Sequence, residues 1–348
     1  MQLSTSNVGK WLQSAGPDSD VVVSTRVRLA RNLADVPFSP KARTSDQEMV
    51  VEAARWALAD SGYIDQGRFI DNELLSVEQG EYLVERHLAS PDFAASKAKR
   101  GFFVSADESL SLMANEEDHL RFQALASGLA LTEACNAVAA LDEKLEAQLQ
   151  YAFSPEFGFL TACPTNLGTG MRASVLVHLP ALVLTREIDK VLRGALAIGL
   201  AVRGIYGEGS ETKGNFFQVS NQRTVGQTEA EIIETIADIA RQLVDYERRA
   251  RKYLMENLRI ETEDKVFRSL ALLRGARVLT SDEAINLIAT VRLGVSLGIV
   301  NELSMADVSR LLILVRPQNL QIMLGETLTA NQRDERRASF IRETLIHP

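Results

Sequence analysis

The most informative stretch of this chain is residues 161–174, Thr161-Ala162-Cys163-Pro164-Thr165-Asn166-Leu167-Gly168-Thr169-Gly170-Met171-Arg172-Ala173-Ser174. Its first part predicts a strand that ends in a turn, because proline, asparagine and glycine follow closely on one another. A lone cysteine is usually a small buried hydrophobe. Here the adjacent loop and the nearby arginine favour a thiolate at Cys163, which could accept hydrogen bonds from a cationic substrate or act as a redox-sensitive switch.

Predicted strands and helices alternate around this stretch. Alternation of β-branched and polar residues over 21–29, after a turn-like segment at 16–20, indicates a half-buried strand. Similar patterns predict strands at residues 101–105, 109–114, 158–162, 173–179, 200–205 and 216–219. Helical periodicity predicts helices at residues 46–60, 77–88, 118–151, 182–198 and 229–258.

The pattern changes after about residue 259. Strand-like alternation stops, and helical patterns follow at residues 264–274, 281–297, 304–315 and 331–346. Ser304 with Asp307 resembles a capping box at the start of one of these helices. The sequence therefore predicts an α+β domain at residues 1–258 and an all-helical domain at residues 259–348.

The composition excludes several classes of protein. Of the 348 residues, 46% are hydrophobic and 24% are charged, as in ordinary globular proteins. The net charge of −8 argues against a nucleic-acid-binding surface, and two cysteines with four separated histidines argue against a disulfide framework or a zinc site. The sequence shows neither a signal-peptide pattern nor a membrane-spanning stretch, so we expect a cytoplasmic protein that acts away from membranes.

The arginines are unevenly distributed. Arg26 and Arg28 lie two residues apart on a predicted strand, so both side chains project from one face. Arg121, Arg172 and Arg203 lie at the edges of other predicted elements. Converging guanidinium groups suit a polyphosphate, which they bind through bidentate hydrogen bonds. The alternative is that each arginine forms an ordinary surface salt bridge.

The sequence contains neither a GxxxxGK[ST] loop nor a GxGxxG segment that follows a strand. A nucleotide would therefore have to be held by arginines and by a magnesium ion on its phosphates. That arrangement is chemically sufficient, because phosphoryl transfer depends mainly on positioning and charge neutralisation. We expect Mg2+ to be held through the ATP phosphates and not by a protein metal site.

Two acidic segments could act on a guanidine substrate. Asn115-Glu116-Glu117-Asp118-His119 lies between a predicted strand and a predicted long helix, and a second segment places Glu208 and Glu211 in a glycine-rich loop. Two carboxylates can align a planar guanidinium and take up its proton during phosphorylation. The alternatives are charge complementarity at a helix start for the first segment and a polar turn for the second.

Several segments of the chain resemble motifs of the phosphagen (guanidino) kinases. They are Ser24-Thr25-Arg26-Val27-Arg28, Asn115-Glu116-Glu117-Asp118-His119-Leu120-Arg121, residues 163–174, Arg203-Gly204-Ile205-Tyr206-Gly207-Glu208 and Val219-Ser220-Asn221-Gln222-Arg223. The segment at residues 163–174 is highly specific. The resemblance covers about residues 20–255 in the order of the family, and it implies a large, mainly antiparallel sheet flanked by helices.

The resemblance also implies roles for individual residues. Glu117 would be the catalytic base that orients the acceptor guanidinium, Glu208 its second carboxylate, and Cys163 the reactive cysteine of the family. Glu211 is the less favoured alternative to Glu208. The implied ATP-binding set is Ser24, Thr25, Arg26, Val27, Arg28, His87, Arg121, Arg172, Ala173, Ser174, Val175, Leu176, Arg203, Gly204, Ile205, Tyr206, Gly207 and Glu208.

Two departures from the small-molecule guanidino kinases indicate one branch of the family. About twenty residues precede the first arginine strand, where those kinases carry a helical domain that encloses the substrate, so we expect a more open site. A helical domain follows residue 258 and contains Arg333-Asp334-Glu335-Arg336-Arg337-Ala338. Both features resemble bacterial protein arginine kinases of the McsB type, in which the RDxxRA pattern forms a regulatory phosphoarginine pocket.

The spacing of this motif makes physical sense. Arg333 and Arg337 lie four residues apart on a predicted helix and could grip a phosphate, while Asp334 receives a guanidinium. Without the resemblance, the motif is an ordinary charged helix face.

The resulting prediction is a kinase that uses ATP and Mg2+ to phosphorylate arginine side chains of proteins and marks them for degradation by the Clp protease in the stress response. The expected partners are proteins with exposed arginines, the Clp unfoldase, an activator protein and a second copy of the chain, but neither nucleic acid nor membrane. The alternatives are a kinase for free arginine or a related small guanidine, and a catalytically silent adaptor that binds phosphoarginine. Retention of Glu117, Glu208, Cys163 and the five arginines argues against the adaptor.

Overall fold

The computed structural model describes residues 8–71, 75–204 and 212–346, and a large sheet forms its centre. The strands are β1 Val22–Arg31, β2 Gly67–Asp71, β3 Gly101–Ser105, β4 Leu110–Ala114, β5 Leu120–Ser127, β6 Phe153–Ser154, β7 Gly158–Phe159, β8 Met171–His178, β9 Leu200–Gly204 and β10 Phe216–Asn221. Eight of them form one sheet in the order β2-β3-β4-β5-β1-β8-β10-β9, and β6 pairs with β7. Every neighbouring pair is antiparallel, which confirms the expected fold class.

The helices of the described residues are α1 Thr44–Asp60, α2 Val77–Glu85, α3 Pro91–Ala95, α4 Leu131–Glu146, α5 Pro180–Leu184, α6 Ile188–Ala197, α7 Glu229–Asn257, α8 Arg259–Gly275, α9 Ser281–Ser296, α10 Met305–Leu314, α11 Pro317–Leu324 and α12 Ala330–Ile346. The capping box expected at Ser304 is present, since its Oγ accepts from the backbone N–H of Asp307 and the Asp307 carboxylate accepts from the N–H of Ser304. Within the described ranges, no helix combines the length and the apolar character needed to span a membrane.

The two faces of the sheet are covered differently. Val27, Phe122 and Val175 point to one face, where they pack in a single apolar cluster with α1, α4 and α7. On the opposite face, Leu125 and Leu176 belong to a second cluster that includes residues of α2, α3, α8, α9, α10 and α12. The C-terminal helices thus cover part of this second face, and the arginines of β1 occupy another part of it.

A break separates α7, which ends at Asn257, from α8, which begins at Arg259. Buried polar contacts join the two parts of the chain. The side chain of Arg292 on α9 is fully buried, with Nη1 2.9 Å from His178 Nδ1 and Nη2 donating to Ser19 O at 2.6 Å.

The single helix predicted at residues 118–151 is wrong. Residues Leu120–Ser127 form β5, and the helix α4 begins only at Leu131. Leucine, arginine, glutamine and alanine are good helix formers, which explains the error. Pairing of this segment with β1 on one side and β4 on the other overrides the local preference.

Smaller differences concern the ends of elements. Only Gly158–Phe159 of the strand predicted at 158–162 is a strand, and the helix predicted at 182–198 is divided where Arg186 adopts a φ of 61°. The sequence analysis also missed β2, α3, β6 and α11. These four elements are short, and their patterns are too brief for a periodicity argument.

Candidate active site

The five arginines chosen from the sequence lie on the same face of the sheet. Arg28 on β1 is directly opposite Arg172 on β8, and Arg121 on β5 is opposite Ala30 on β1. Residues that face each other across antiparallel strands point to the same side, as do residues two apart on one strand. Arg203 lies on the same side at the edge strand β9, where it is exposed.

Arg26 and Arg28 are shielded from solvent and have other arginines as neighbours. Burial lowers the pKa of Arg26 to about 10, with further contributions from Arg121 and Arg172. Burial and the neighbouring guanidinium groups hold the pKa of Arg28 well below its usual range. In the described part of the chain, the Nε atoms of Arg28 and Arg172 are buried without a hydrogen-bond partner. A polyphosphate would relieve both the repulsion and the missing hydrogen bonds.

A small cleft opens beside Arg26. Its lining residues are Ser24, Arg26, His87, Leu125, Ser174, Leu176 and Gln218. Five of them belong to the predicted ATP-binding set, whereas Leu125 and Gln218 were not predicted. Gln218 fixes the orientation of Arg26, because its Oε1 accepts a hydrogen bond from Arg26 Nη2 at 3.0 Å.

His87 contributes an aromatic ring to this cleft. It follows α2 with a φ of 60°, and its ring meets Trp11 edge to face at a centroid distance of 5.5 Å. Burial, together with Arg316 and Arg26, lowers the pKa of His87 to about 3, so the imidazole is neutral at physiological pH. The cleft therefore combines a neutral ring with a guanidinium.

The remaining described residues of the predicted ATP-binding strands face the other way. Val27, Ala173 and Val175 are fully buried in the apolar cluster beneath the sheet, and the Oγ1 of Thr25 donates to Gly128 O at 2.7 Å. Their side chains support the strands and do not line the cleft, because a strand alternates its side chains between two faces.

The described part of β9 ends at Gly204. Ile205, Tyr206, Gly207, Glu208 and Glu211 lie outside the described residues. The predicted second carboxylate and part of the predicted ATP-binding set fall in this segment.

The acidic segment at residues 115–119 is a turn between β4 and β5 and not a helix start. A helix dipole therefore does not explain its charges. Asn115 has a φ of 61°, and its Nδ2 donates to the backbone oxygens of Gln47 at 2.8 Å and Lys99 at 2.9 Å. This turn places Glu116 and Glu117 beside the arginine that follows them on β5.

Arg121 contacts both carboxylates through one nitrogen. Its Nη1 donates to Glu116 Oε2 at 2.6 Å and also to Glu117 Oε1. Burial acts to lower the pKa of Arg121, but the two carboxylates outweigh it and raise the pKa. Burial acts to raise the pKa of Glu116, yet Arg121 and the Ser90 hydroxyl, which donates to Glu116 Oε1 at 2.6 Å, hold it below the usual range.

Glu117 differs from its neighbours in the turn. Its side chain is 38% exposed, whereas that of Glu116 is 6% exposed, so Glu117 is the carboxylate of this pair that a substrate can reach. His119 is fully buried. Its Nδ1 accepts from the backbone N–H of Leu33 at 3.0 Å and its Nε2 lies 3.1 Å from Pro37 O, which assigns the proton to Nε2 and gives His119 an anchoring role.

Cys163 lies in the loop before β8 and is partly exposed. Its Sγ is 3.0 Å from Thr165 Oγ1. Burial and the charge of Arg203 lower the pKa of Arg172, while Glu117 and Cys163 act in the opposite direction. The thiol, the exposed carboxylate and the arginines therefore belong to one site.

The sequence analysis missed several polar partners in this site. Asn166 and Gln218 both lie in or beside the recognised motifs, so the motifs themselves could have indicated them. Ser90 has no such signal, since it precedes Glu116 by 26 residues and meets it only through the fold.

The predicted phosphoarginine-binding motif lies on α12. Arg337 donates from Nε to Val315 O at 2.7 Å, and from Nη1 to Leu279 O at 2.8 Å and to the Asp334 carboxylate. Asp334, which the sequence analysis assigned to an incoming guanidinium, is thus already paired within the motif. The members differ in exposure: Arg337 and Ala338 are buried, Arg333 and Asp334 half-buried, and Glu335 and Arg336 exposed.

Comparison with known proteins extends over both parts of the chain. The family model described as the C-terminal catalytic domain of ATP:guanido phosphotransferases matches residues 49–250, and the one described as the C-terminal domain of the protein-arginine kinase McsB matches residues 259–347. A protein-arginine kinase of Halalkalibacterium halodurans is 45% identical over 343 residues, which cover 97% of this chain and 95% of that protein. The chain belongs to the protein-arginine kinase family.

Another member of this family, from Brevibacillus brevis, is 45% identical over 338 residues, 96% of this chain and 94% of that protein. Solved guanidino kinases share the fold. The substrate-free duplicated taurocyamine kinase of Schistosoma mansoni has a TM-score of 0.59 and 27% identity, over 72% of this chain and 37% of that chain. A lombricine kinase has a TM-score of 0.59 and 23% identity, over 71% and 70% of the two chains. As a member of this phosphotransferase family, the chain is an enzyme of phosphoryl transfer.

Proposed function

We propose that this chain transfers the γ-phosphate of ATP to arginine side chains of proteins. The observation that carries the proposal is the grouping of Glu117 and Cys163 with five arginines on one partly open face of the sheet. The names of its relatives, protein-arginine kinases at 45% identity, support arginine as the acceptor.

In the proposed reaction, the arginines of the sheet bind the phosphates and neutralise their charge. A terminal nitrogen of the substrate arginine attacks the γ-phosphorus in line with the leaving ADP. An N–P bond forms, the P–O bond to the β-phosphate breaks, and the N–H proton passes to Glu117. Because a guanidinium is protonated at physiological pH, Glu117 accepts the proton in the transition state and not beforehand.

We propose that a magnesium ion enters this site together with the nucleotide. Among the described residues, no group of three or more His, Cys, Asp or Glu side chains is placed to hold a metal ion. The two acids nearest the arginines, Glu116 and Glu117, are both engaged by Arg121. We therefore propose that Mg2+ is carried on the ATP phosphates, where it neutralises charge that develops during transfer.

The acceptor is proposed to be a protein and not a free amino acid. The 38% exposure of Glu117 is compatible with a side chain that enters from a polypeptide surface. The further expectations rest on the resemblance: a cytoplasmic location, marking of substrates for the Clp protease under stress, an activator protein, a homodimer, and phosphoarginine binding at the motif on α12.

The deciding experiment incubates the purified protein with ATP, Mg2+ and an unfolded arginine-containing protein, with free arginine tested in parallel. Phosphorylation is mapped by mass spectrometry without acid, which would cleave the N–P bond. We expect phosphate on protein arginines. The rate of phosphorylation should fall about 1,000-fold in Glu117→Gln, because the base is removed. Glu143→Gln, on the exposed surface of α4, is the matched control.

Other outcomes would replace the proposal. Phosphate on free arginine alone would indicate a kinase for a small guanidine. Absence of both products together with absence of ATP binding in calorimetry would indicate a phosphoarginine-binding adaptor. Near-normal turnover of Glu117→Gln would refute its role as the base.

A further inference from the structure

A buried glutamate of α2 caps the N-terminus of α11. Arg316 occupies the N-cap of α11, and an arginine side chain has no acceptor for the backbone N–H groups of a first turn. Pro317 follows without an N–H, so the next donors are those of Gln318 and Asn319. The N–H of Gln318 donates to both carboxylate oxygens of Glu85 at 3.1 Å, and that of Asn319 donates to its Oε2 at 2.9 Å. The cap of this C-terminal helix is thus supplied by α2.

The side chain of Asn319 reinforces this junction. Its Nδ2 donates to Glu85 Oε2 at 2.8 Å, and its Oδ1 accepts from Arg86 Nη1 at 3.3 Å. Arg86 is 2% exposed and also donates from Nε to Glu108 Oε2 at 3.0 Å. Leu83 of α2 lies in the same apolar cluster as residues of α10. The last residue of α2 and its C-cap are therefore both held by one residue of α11.

His87 follows these two residues directly and lines the cleft beside Arg26. Its φ of 60° is uncommon for a residue other than glycine and persists where surrounding contacts hold the backbone. On one side, Gln123 Nε2 donates to His87 O at 2.9 Å. On the other side, the chain is held by α11 through Glu85 and Arg86. The placement of the ring therefore depends on a helix of the C-terminal part of the chain.

We propose that Glu85 is a positioning residue for the nucleotide, which holds His87 at the cleft by anchoring the end of α2 to α11. This inference rests on the proposed function, because it takes ATP as the occupant of the cleft. Within the described ranges, α11 contributes no lining residue to the cleft, and Glu85 makes no hydrogen bond to Glu117 or Cys163. The effect of Glu85 therefore falls on ATP binding and not on the transfer step.

The first test compares Glu85→Gln with a matched control, Glu247→Gln. Glu247 is also buried and also caps a helix, since the backbone N–H groups of Ala181 and Leu182 in α5 each donate to its carboxylate at 3.0 Å. Ala181 and Leu182 belong to the apolar cluster on the opposite face of the sheet. Both variants should melt at a lower temperature, because an amide offers one acceptor oxygen where a carboxylate offers two.

Only Glu85→Gln should change ATP binding. Its affinity, measured by calorimetry with ATP and Mg2+, should fall about fivefold, because stacking on an aromatic ring supplies part of the affinity for a base. Its kcat at saturating ATP should stay unchanged. Asn319→Ala removes side-chain contacts of the same junction from the side of α11, and its ATP affinity should fall about threefold for the same reason.

The second test removes the ring that Glu85 is proposed to position. His87→Ala should weaken ATP binding about tenfold. Addition of Glu85→Gln to this variant should cause no further loss of affinity, because the two residues act as one unit in a double-mutant cycle. A general loosening of the fold would instead lower the affinity by the same factor with and without the ring.

The outcomes separate this inference from the proposed function. Unchanged ATP affinity in Glu85→Gln, an equal loss in Glu247→Gln, or the full fivefold loss in the His87→Ala background would overturn the positioning role. A lowered kcat at saturating ATP would also contradict it. Each of these results would leave the proposed kinase in place. Absence of ATP binding by the unsubstituted protein would remove the proposed function as well.

Discussion

Arg28 on β1 is half-buried and Arg337 on α12 is fully buried, and their guanidinium groups have opposite surroundings. The neighbours of Arg28 are mainly other arginines, and its Nε has no partner within the described chain. Arg337, only 1% exposed, donates to two backbone oxygens and to Asp334. The first arrangement is unfavourable until an anion arrives, whereas the second is already satisfied by the fold.

This contrast provides a criterion for the role of an arginine that the fold shields from solvent. Burial alone does not distinguish a binding group from a structural one. The deciding feature is whether the acceptors are supplied by the chain itself, because an unsatisfied buried cation costs free energy that only a ligand can offset. By this criterion we propose that Arg28 serves binding, whereas Arg337 holds α12 against the residues that precede α9 and α11.

The largest effect is expected from Arg28→Met. Removal of this guanidinium should weaken ATP binding by about 300-fold, since a desolvated charge contact to phosphate is lost. The variant should melt at or above the temperature of the unsubstituted protein, because repulsion from Arg26, Arg121 and Arg172 is relieved. Calorimetry with ATP and Mg2+ and thermal unfolding measure the two quantities. A variant that binds ATP normally or unfolds would contradict the assignment.

Arg337→Met should show the reverse behaviour. The substitution removes the hydrogen bonds that Arg337 donates to Val315 O, Leu279 O and the Asp334 carboxylate. The free energy of unfolding should therefore fall by about 2 to 3 kcal/mol. ATP affinity of the folded protein should not change. Denaturant unfolding tests this, with the exposed neighbour Arg336→Ala as a control that should cost at most about 0.5 kcal/mol. Equal losses in both variants would remove the contrast with Arg28.

His87 allows a test at the boundary between these two regions, since Arg26 of the cleft and Arg316 at the start of α11 both act on it. Its pKa is lowered from 6.5 to about 3. Between these pH values the imidazole is protonated in the unfolded chain but neutral in the folded chain. The stabilising contribution of His87 is therefore present above pH 6.5 and is lost as the pH falls toward 3. In this range the free energy of unfolding, measured in urea, should fall by about 1 kcal/mol per pH unit more for the unsubstituted protein than for His87→Gln. Parallel curves would show that His87 is not held neutral.

The smallest effect is expected from Gln218→Ala. Its Oε1 accepts from Arg26 Nη2 at 3.0 Å, so the change should let Arg26 move and weaken ATP binding about fivefold. Gln321→Ala, a buried glutamine whose Oε1 accepts from the backbone N–H of Leu328, is the control and should leave ATP affinity unchanged. An equal effect of the two substitutions would indicate that the cleft does not depend on the orientation of Arg26.

Much of the fold could be predicted because its signals are local. The two-residue alternation of β1 predicts that Arg26 and Arg28 lie on one face of the strand. The capping box at Ser304 involves residues three apart, so it too is visible in the sequence. Residues 120–127 were predicted as part of a helix, because the residue types favour one. They form a strand because they pair with β1 and β4.

The family, the fold class and the arginines that share a strand face can be predicted from the amino-acid sequence, because they follow from motifs and from the short periods of helices and strands. The hydrogen-bond partners of the buried polar groups, in contrast, depend on tertiary contacts. In the folded chain, Arg337 donates hydrogen bonds to the oxygens of Leu279 and Val315. Ser90 likewise donates to Glu116, and Asn166 donates to Glu117. Such contacts join residues far apart in the chain, so they depend on strand register and helix packing, which no local pattern contains.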